Sequence, residues 1–143
     1  MERAVLVDTN IWVYAFGIGK EDEKWKFLLC ESLLMELTEK GFVIYAPKQV
    51  AKELGRVALK YGLNCDEKGR MLEKISRVAI LLSEEVADIK LACELMESYN
   101  LQYWDALIYA IAIRHKIPLV ITEDKTYPKI LYKNFALEIV NPF

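Results

Sequence analysis

The segment AVLVDTN, Ala4 to Asn10, decides the fold. Its four leading residues form an unbroken apolar run, the pattern of a strand covered on both faces, and such strands belong to parallel sheets. Asp8, Thr9 and Asn10 then end the strand with side chains suited to capping a helix. An apolar strand passing directly into a capped helix is the opening unit of an alternating α/β chain. A short apolar helix is expected from Ile11 to Phe16, stopped at Gly17.

The same alternation continues outward. Apolar residues at helical spacing predict a helix from about Asp22 to Lys40, and Gly41 ends it. Phe42 to Ala46 reads as a second strand. Pro47 suits the first turn of a third helix that reaches about Tyr61. A fourth helix spans about Asp66 to Arg77, and Val78 to Leu82 is a third strand. Ser83, Glu84 and Glu85 resemble a helix start, with serine as the cap, for a helix running to about Tyr99. Another helix covers Tyr103 to His115. Pro118 to Thr122 and Leu137 to Val140 complete the strands. The expectation is one domain over residues 1–143, a three-layer α/β/α sandwich around a mostly parallel, five-stranded sheet with right-handed crossovers.

Composition narrows the function classes. The chain has 143 residues, 54% of them hydrophobic and 28% charged, the balance of a globular domain with a full core. A net charge of -2 argues against a surface that is basic throughout, while leaving room for a local basic strip. Cys30, Cys65 and Cys93 form neither a disulfide framework nor a zinc spacing, and free thiols suit a reducing cytoplasm. His115 is the sole histidine, which removes a His-based zinc site. No secretory leader and no membrane span is expected.

Ligands of open α/β sheets bind outside the carboxyl ends of the strands, so the polar residues expected there matter most. Asp8 ends the first strand, and Asp124 follows the fourth in VITED. Asp105 lies in the first turn of YWDALIYAIAI, a helix apolar almost all round and therefore buried. A carboxylate there is costly unless it is paired or binds a cation. Glu53 sits at the edge of the apolar stripe formed by Val50, Leu54, Val57 and Tyr61, one turn after the second strand. Each acid also has an ordinary reading: Asp8 and Asp124 as caps, Asp105 as a first-turn acid, Glu53 as a surface residue. Their conjunction at one end of a sheet points further. Gathered carboxylates repel, and a divalent cation removes that penalty. Oxygen ligands without His or Cys favour Mg²⁺ or Mn²⁺, which serve phosphodiester hydrolysis.

The motifs VDTN at Asp8, QVAKEL at Glu53, YWDALIYAIA at Asp105 and VITED at Asp124, in this order, resemble the PIN-domain nucleases, and among them the VapC-type toxins most. The resemblance covers the whole chain. It implies that Asp8, Glu53, Asp105 and Asp124 form an acidic metal site using Mg²⁺ or Mn²⁺, with Thr9, Asn10 and Thr122 as polar supports orienting ligands or water. It also implies endoribonuclease activity on RNA, a partner antitoxin and a homodimer.

Three further features carry competing readings. Lys48, Lys52, Arg56 and Lys60 recur every four residues. Residues 48 to 77 hold eight basic against four acidic residues, a local excess of +4. That strip either contacts an RNA backbone or is a solvated helix face. The helix bearing Trp25, Phe27, Leu28, Leu29, Leu33, Leu34, Met35 and Leu37 carries more apolar surface than one stripe needs, for core packing or for a partner. Gly17-Ile18-Gly19-Lys20 lacks the spacing of a phosphate-binding loop, and Asn10 stands where a dehalogenase-type phosphatase needs a second aspartate. Two functions of different kind remain: a metal-dependent ribonuclease acting as a toxin, or a catalytically silent module that binds RNA or protein.

Overall fold

The computed structural model describes residues 3–123 and 127–143. Six strands form one sheet: β1 Ala4–Val7, β2 Val43–Pro47, β3 Ala79–Leu82, β4 Leu119–Ile121, β5 Lys129–Tyr132 and β6 Phe135–Val140. The helices are α1 Thr9–Ala15, α2 Lys24–Glu39, α3 Gln49–Lys60, α4 Cys65–Val78, α5 Val86–Ser98 and α6 Tyr103–Arg114. A short 3₁₀ turn, Glu21–Glu23, precedes α2.

The strand order is β3-β2-β1-β4-β6-β5, parallel throughout except for the antiparallel β5–β6 pair. The chain builds outward from β1 through β2 to β3, then returns to lay β4 on the other side of β1. That reversal creates a crevice between the ends of β1 and β4.

The core explains why both faces of β1 are apolar. Val5 and Val7 join Ile44, Ala46 and Ile121 under α1 to α4, with Ile11, Trp12, Cys30, Val50, Leu54 and Ile75 from those helices. Leu6 points the other way, with Val120, Ile130, Leu137 and Ile139, under α5 and α6. Side chains alternate between the faces of a strand, so one apolar run serves two cores.

Three expectations need correction. The sheet has six strands, not five. Tyr132 pairs with Phe135 across a two-residue turn, Lys133-Asn134, in which Lys133 takes a φ of +52°. The strand Lys129–Tyr132 is short, flanked by lysines and half exposed, so it lacks the apolar signal of the buried strands. Pro47 does not open a helix. It is the last residue of β2, paired with Leu82, and α3 starts at Gln49 after Lys48. Ser83 is not a cap either. Glu85 occupies the cap position of α5, and its backbone N–H donates to Asp88 Oδ2 at 2.8 Å. Among the described residues no helix is long and apolar enough to cross a membrane.

Candidate active site

Asp8 is placed by two elements at once. As the residue after β1, it donates its backbone N–H to the Ile121 carbonyl at 2.9 Å, which extends the β1–β4 ladder by one rung. As the cap of α1, its Oδ1 accepts from the Thr9 N–H at 2.7 Å. Its Oδ2 accepts from the Thr122 hydroxyl at 2.9 Å, and Thr122 is itself buried just past the end of β4. The α1 helix is held against the sheet because the Trp12 indole N–H donates to the Val7 carbonyl at 3.0 Å. The carboxylate of Asp8 is therefore fixed at the crevice between β1 and β4.

Two neighbouring atoms stand out. Thr9 Oγ1 and Asn10 Oδ1 are buried, with no hydrogen-bond partner among the described residues. Buried polar atoms are nearly always satisfied, so an orphaned pair beside a carboxylate marks a place built for something else.

Asp105 comes from the first turn of α6 and is half-buried. Glu53 comes from α3. Its side chain is 29% exposed, and Arg56 Nη2 donates to its Oε2 at 2.8 Å from a side chain 74% exposed. The Glu53 hydrogen bond raises the Arg56 pKa above its ordinary value.

Asp8, Glu53 and Asp105 line one cleft of about 750 Å³, together with Thr9, Asn10 and Arg56. Its floor follows the carboxyl ends of the strands: Asp8 after β1, Pro47 at the end of β2, and Glu84 two residues beyond β3. Asp124, the fourth acid expected from the sequence, lies outside the described residues, as does the rest of 124–126. Among the described residues no three Asp, Glu, His or Cys side chains stand close enough to hold one ion between them. The acids thus share a cleft without forming a finished cage. The donor chemistry still fits a hard divalent cation: the acids and the orphaned Asn10 Oδ1 and Thr9 Oγ1 all offer oxygen.

The basic strip divides. Arg56 and Lys60 line the cleft, whereas the exposed Lys48 and Lys52 do not. The strip idea also overlooked three lining residues: Glu84, Tyr61 and Trp104. Glu84 follows the same strand-end rule that singled out Asp8, but its neighbour Glu85 and the apparent serine cap disguised it as a helix-turn acid. The Gly17–Lys20 segment is a connection between α1 and the 3₁₀ turn. A Cβ at Gly19 would lie 2.9 Å from the Phe27 ring, so close packing explains that glycine without any phosphate.

Tyr14 and Glu23 also line the cleft, and the Tyr14 hydroxyl donates to Glu23 Oε2 at 2.9 Å; nearby, Lys26 Nζ meets Glu123 Oε1 at 2.6 Å. Lys26 also stands over the rings of Tyr14, Trp25 and Phe143, at 5.0, 5.6 and 4.8 Å from their centroids. Asn141 Nδ2 donates to the Glu123 carbonyl at 2.7 Å. The segment leaving β4 is thereby clasped by α2 and by the C-terminal residues.

A second concavity of about 770 Å³ opens between α1, α2 and α4. It is mainly apolar, with Trp12, Phe16, Leu34, Met35 and Met71 in its walls, and Asp8, Glu53 and Asp105 do not line it.

Comparison with known proteins bears on the fold and the family. No protein of curated function matches the chain. Among solved structures, a toxin–antitoxin complex from Klebsiella pneumoniae superposes with a TM-score of 0.69 at 20% identity, covering 97% of this chain and 98% of that one. VapBC2 from Rickettsia felis, bound to a DNA fragment from its promoter, gives a TM-score of 0.63 at 19% identity, covering 96% and 99%. Both are alike in fold. The family model of the PIN domain matches residues 5–130, a span that runs from within β1 past β4 and includes every candidate site acid, and the chain belongs to the PIN domain family.

Proposed function

We propose that this chain is a metal-dependent endoribonuclease that hydrolyses RNA phosphodiester bonds, and that it is the toxin of a toxin–antitoxin pair. The observation that carries the reading is the convergence of Asp8, Glu53 and Asp105, from three separate elements, on one cleft at the carboxyl ends of the strands. With Asp124 they would hold Mg²⁺ or Mn²⁺. When bound, such an ion activates water for in-line attack and offsets the charge that builds on phosphate. The chain's own contribution is positional. Thr122 and the Thr9 amide hold the two oxygens of Asp8 in place. Thr9 Oγ1 and Asn10 Oδ1 orient water or a ligand at the same end of α1. Arg56 holds Glu53 and supplies positive charge toward the phosphate backbone.

The test is cleavage of a mixed RNA pool with Mg²⁺ or Mn²⁺ and then with EDTA, comparing wild type with Asp8→Asn. The asparagine keeps an oxygen for the Thr9 amide, and the Thr122 hydroxyl can turn to accept from its nitrogen, so the fold is retained. Metal-dependent cutting lost in the variant supports the reading. No cutting by folded wild type, free of partners, sinks it.

A second reading has its own observation. Glu53 is already paired with Arg56, and the described acids do not form a finished cage. That arrangement suits a catalytically silent module that binds RNA or protein.

The proposed partner is an antitoxin. Two observations support it: the neighbouring structures are toxin–antitoxin complexes, and α2 leaves Trp25, Leu28 and Met35 exposed, Met35 within the apolar groove beside α4. The active assembly in this reading is a homodimer working in the cytoplasm, where reduced cysteines persist. Light scattering of the purified protein tests the dimer.

A further inference from the structure

Trp104 is 62% exposed, although it directly precedes Asp105 in a helix whose later residues are almost all buried. An indole in water forgoes a large burial gain. Its ring is nevertheless braced: it meets the Tyr103 ring at 5.3 Å between centroids and 64° between planes, and Tyr103 packs on the core under α6. Trp104 lines the cleft that holds Asp8, Glu53 and Asp105. So does Tyr61, itself 41% exposed, and so do the cations Arg56 and Lys60. Lys60 Nζ lies 5.9 Å from the Tyr61 ring centroid.

Aromatic faces beside cations, next to carboxylates, are what a nucleic-acid strand with unpaired bases needs. Bases stack on the rings and the backbone follows the positive charge. A duplex cannot use such a ring, because its bases are already stacked on one another. We infer that Trp104 is the stacking platform for an unpaired base of the RNA next to the cleavage point, with Arg56 and Lys60 holding the adjoining phosphates. Trp104 therefore makes the cleft selective for unpaired RNA. The inference rests on the ribonuclease reading above, but binding tests it without turnover.

The experiment is fluorescence anisotropy of a labelled single-stranded oligoribonucleotide and of a blunt-ended, fully paired RNA duplex, both in EDTA so that nothing is cut. Wild type is compared with Trp104→Ala and Trp104→Tyr, each checked for an unchanged melting temperature. Trp104→Ala is expected to weaken single-strand binding about tenfold, while Trp104→Tyr restores most of it and duplex binding stays the same. With metal present, Trp104→Ala should raise KM and leave kcat nearly intact. Unchanged single-strand affinity in Trp104→Ala overturns the inference, as does an equal loss on single strand and duplex. Wild type that fails to bind unpaired RNA overturns it too. Binding that follows the expected pattern without any cleavage in metal leaves Trp104 its role and removes the ribonuclease reading instead.

Discussion

The Thr122 hydroxyl donates to Asp8 Oδ2 at 2.9 Å, joining two residues 114 positions apart at the ends of adjacent strands. This contact spans the point where the strand order reverses. It converts the pairing of β1 with β4 into a fixed orientation for a carboxylate.

Thr122→Val should therefore affect function more than folding. Losing a hydrogen bond to a carboxylate at a buried site costs about 1–2 kcal/mol, readable in urea denaturation. Cleavage should fall at least about tenfold because Asp8 Oδ2 loses its tie to the end of β4. Thr122→Ser keeps the hydroxyl and should keep most of the activity. Valine and serine variants with equal activity would show that the contact does not position Asp8.

Asp88 is fully buried, and Arg114 Nη1 donates to its Oδ1 at 2.7 Å, tying α5 to α6. Asp88→Ala should lower the melting temperature by about 5 °C or more. It should leave the metal dependence of cleavage unchanged, because Asp88 does not line the cleft. Calorimetry and a metal titration of activity check the two halves separately.

Burial pushes the Cys30 thiol up to about 11, whereas Cys65 and Cys93 are exposed. A thiol-specific reagent at pH 8 should therefore modify two of the three cysteines in the folded protein and all three in guanidinium. Rapid modification of Cys30 in the native state would contradict its burial on the inner face of α2.

The cluster of Tyr14, Glu23 and Lys26 makes stability pH-dependent at both ends. Burial, first, and then hydrogen bonding to Glu123 and Glu23 raise the Tyr14 pKa above its ordinary 10.0, and the Glu123 bond raises Lys26 above 10.5. Groups with raised folded pKa contribute fully below the unfolded value, and their contribution is lost as pH climbs past it. Glu23 is lowered below 4.5, mainly by the Lys20 backbone N–H and then by the Tyr14 hydroxyl, so its contribution is present above 4.5 and lost as pH falls. Melting temperatures should decline above about pH 10 and below about pH 4.5. The alkaline decline should be shallower in Tyr14→Phe. A Tyr14→Phe curve parallel to wild type above pH 10 would remove Tyr14 from the account.

Much of this was legible in the sequence for a physical reason. Buried strands and the helix around Asp105 are apolar without interruption, so the acids that interrupt or end them stand out. Asp8 and Asp105 stand out that way, Glu53 by its place at the edge of an apolar stripe one turn after β2, and the structure brings the three to one cleft. The errors have equally local causes. Pro47 fits a first helical turn, but it is equally stable as the last residue of β2, where it pairs with Leu82. Ser83 looked like a cap because Ser followed by Glu is a common start, yet Glu85 takes that position. The edge strand β5 is only four residues long, begins with a lysine and is half exposed, so only its two-residue turn with β6 announces it. The buried Asp88 and the exposed Trp104 both invert the usual hydropathy of their positions. Only tertiary structure, through Arg114 in one case and the cleft in the other, shows why.

The central claim is that Asp8 and Asp105, from different elements, serve one metal-dependent site. The most direct test is a non-additivity measurement: Mn²⁺-dependent RNA cleavage rates for Asp8→Asn, Asp105→Asn and the double variant. Residues that act as a unit are not additive, so each single variant should lose nearly all activity and the double variant should be no worse than either. Independent, multiplying losses, or a fully active single variant, would contradict the account.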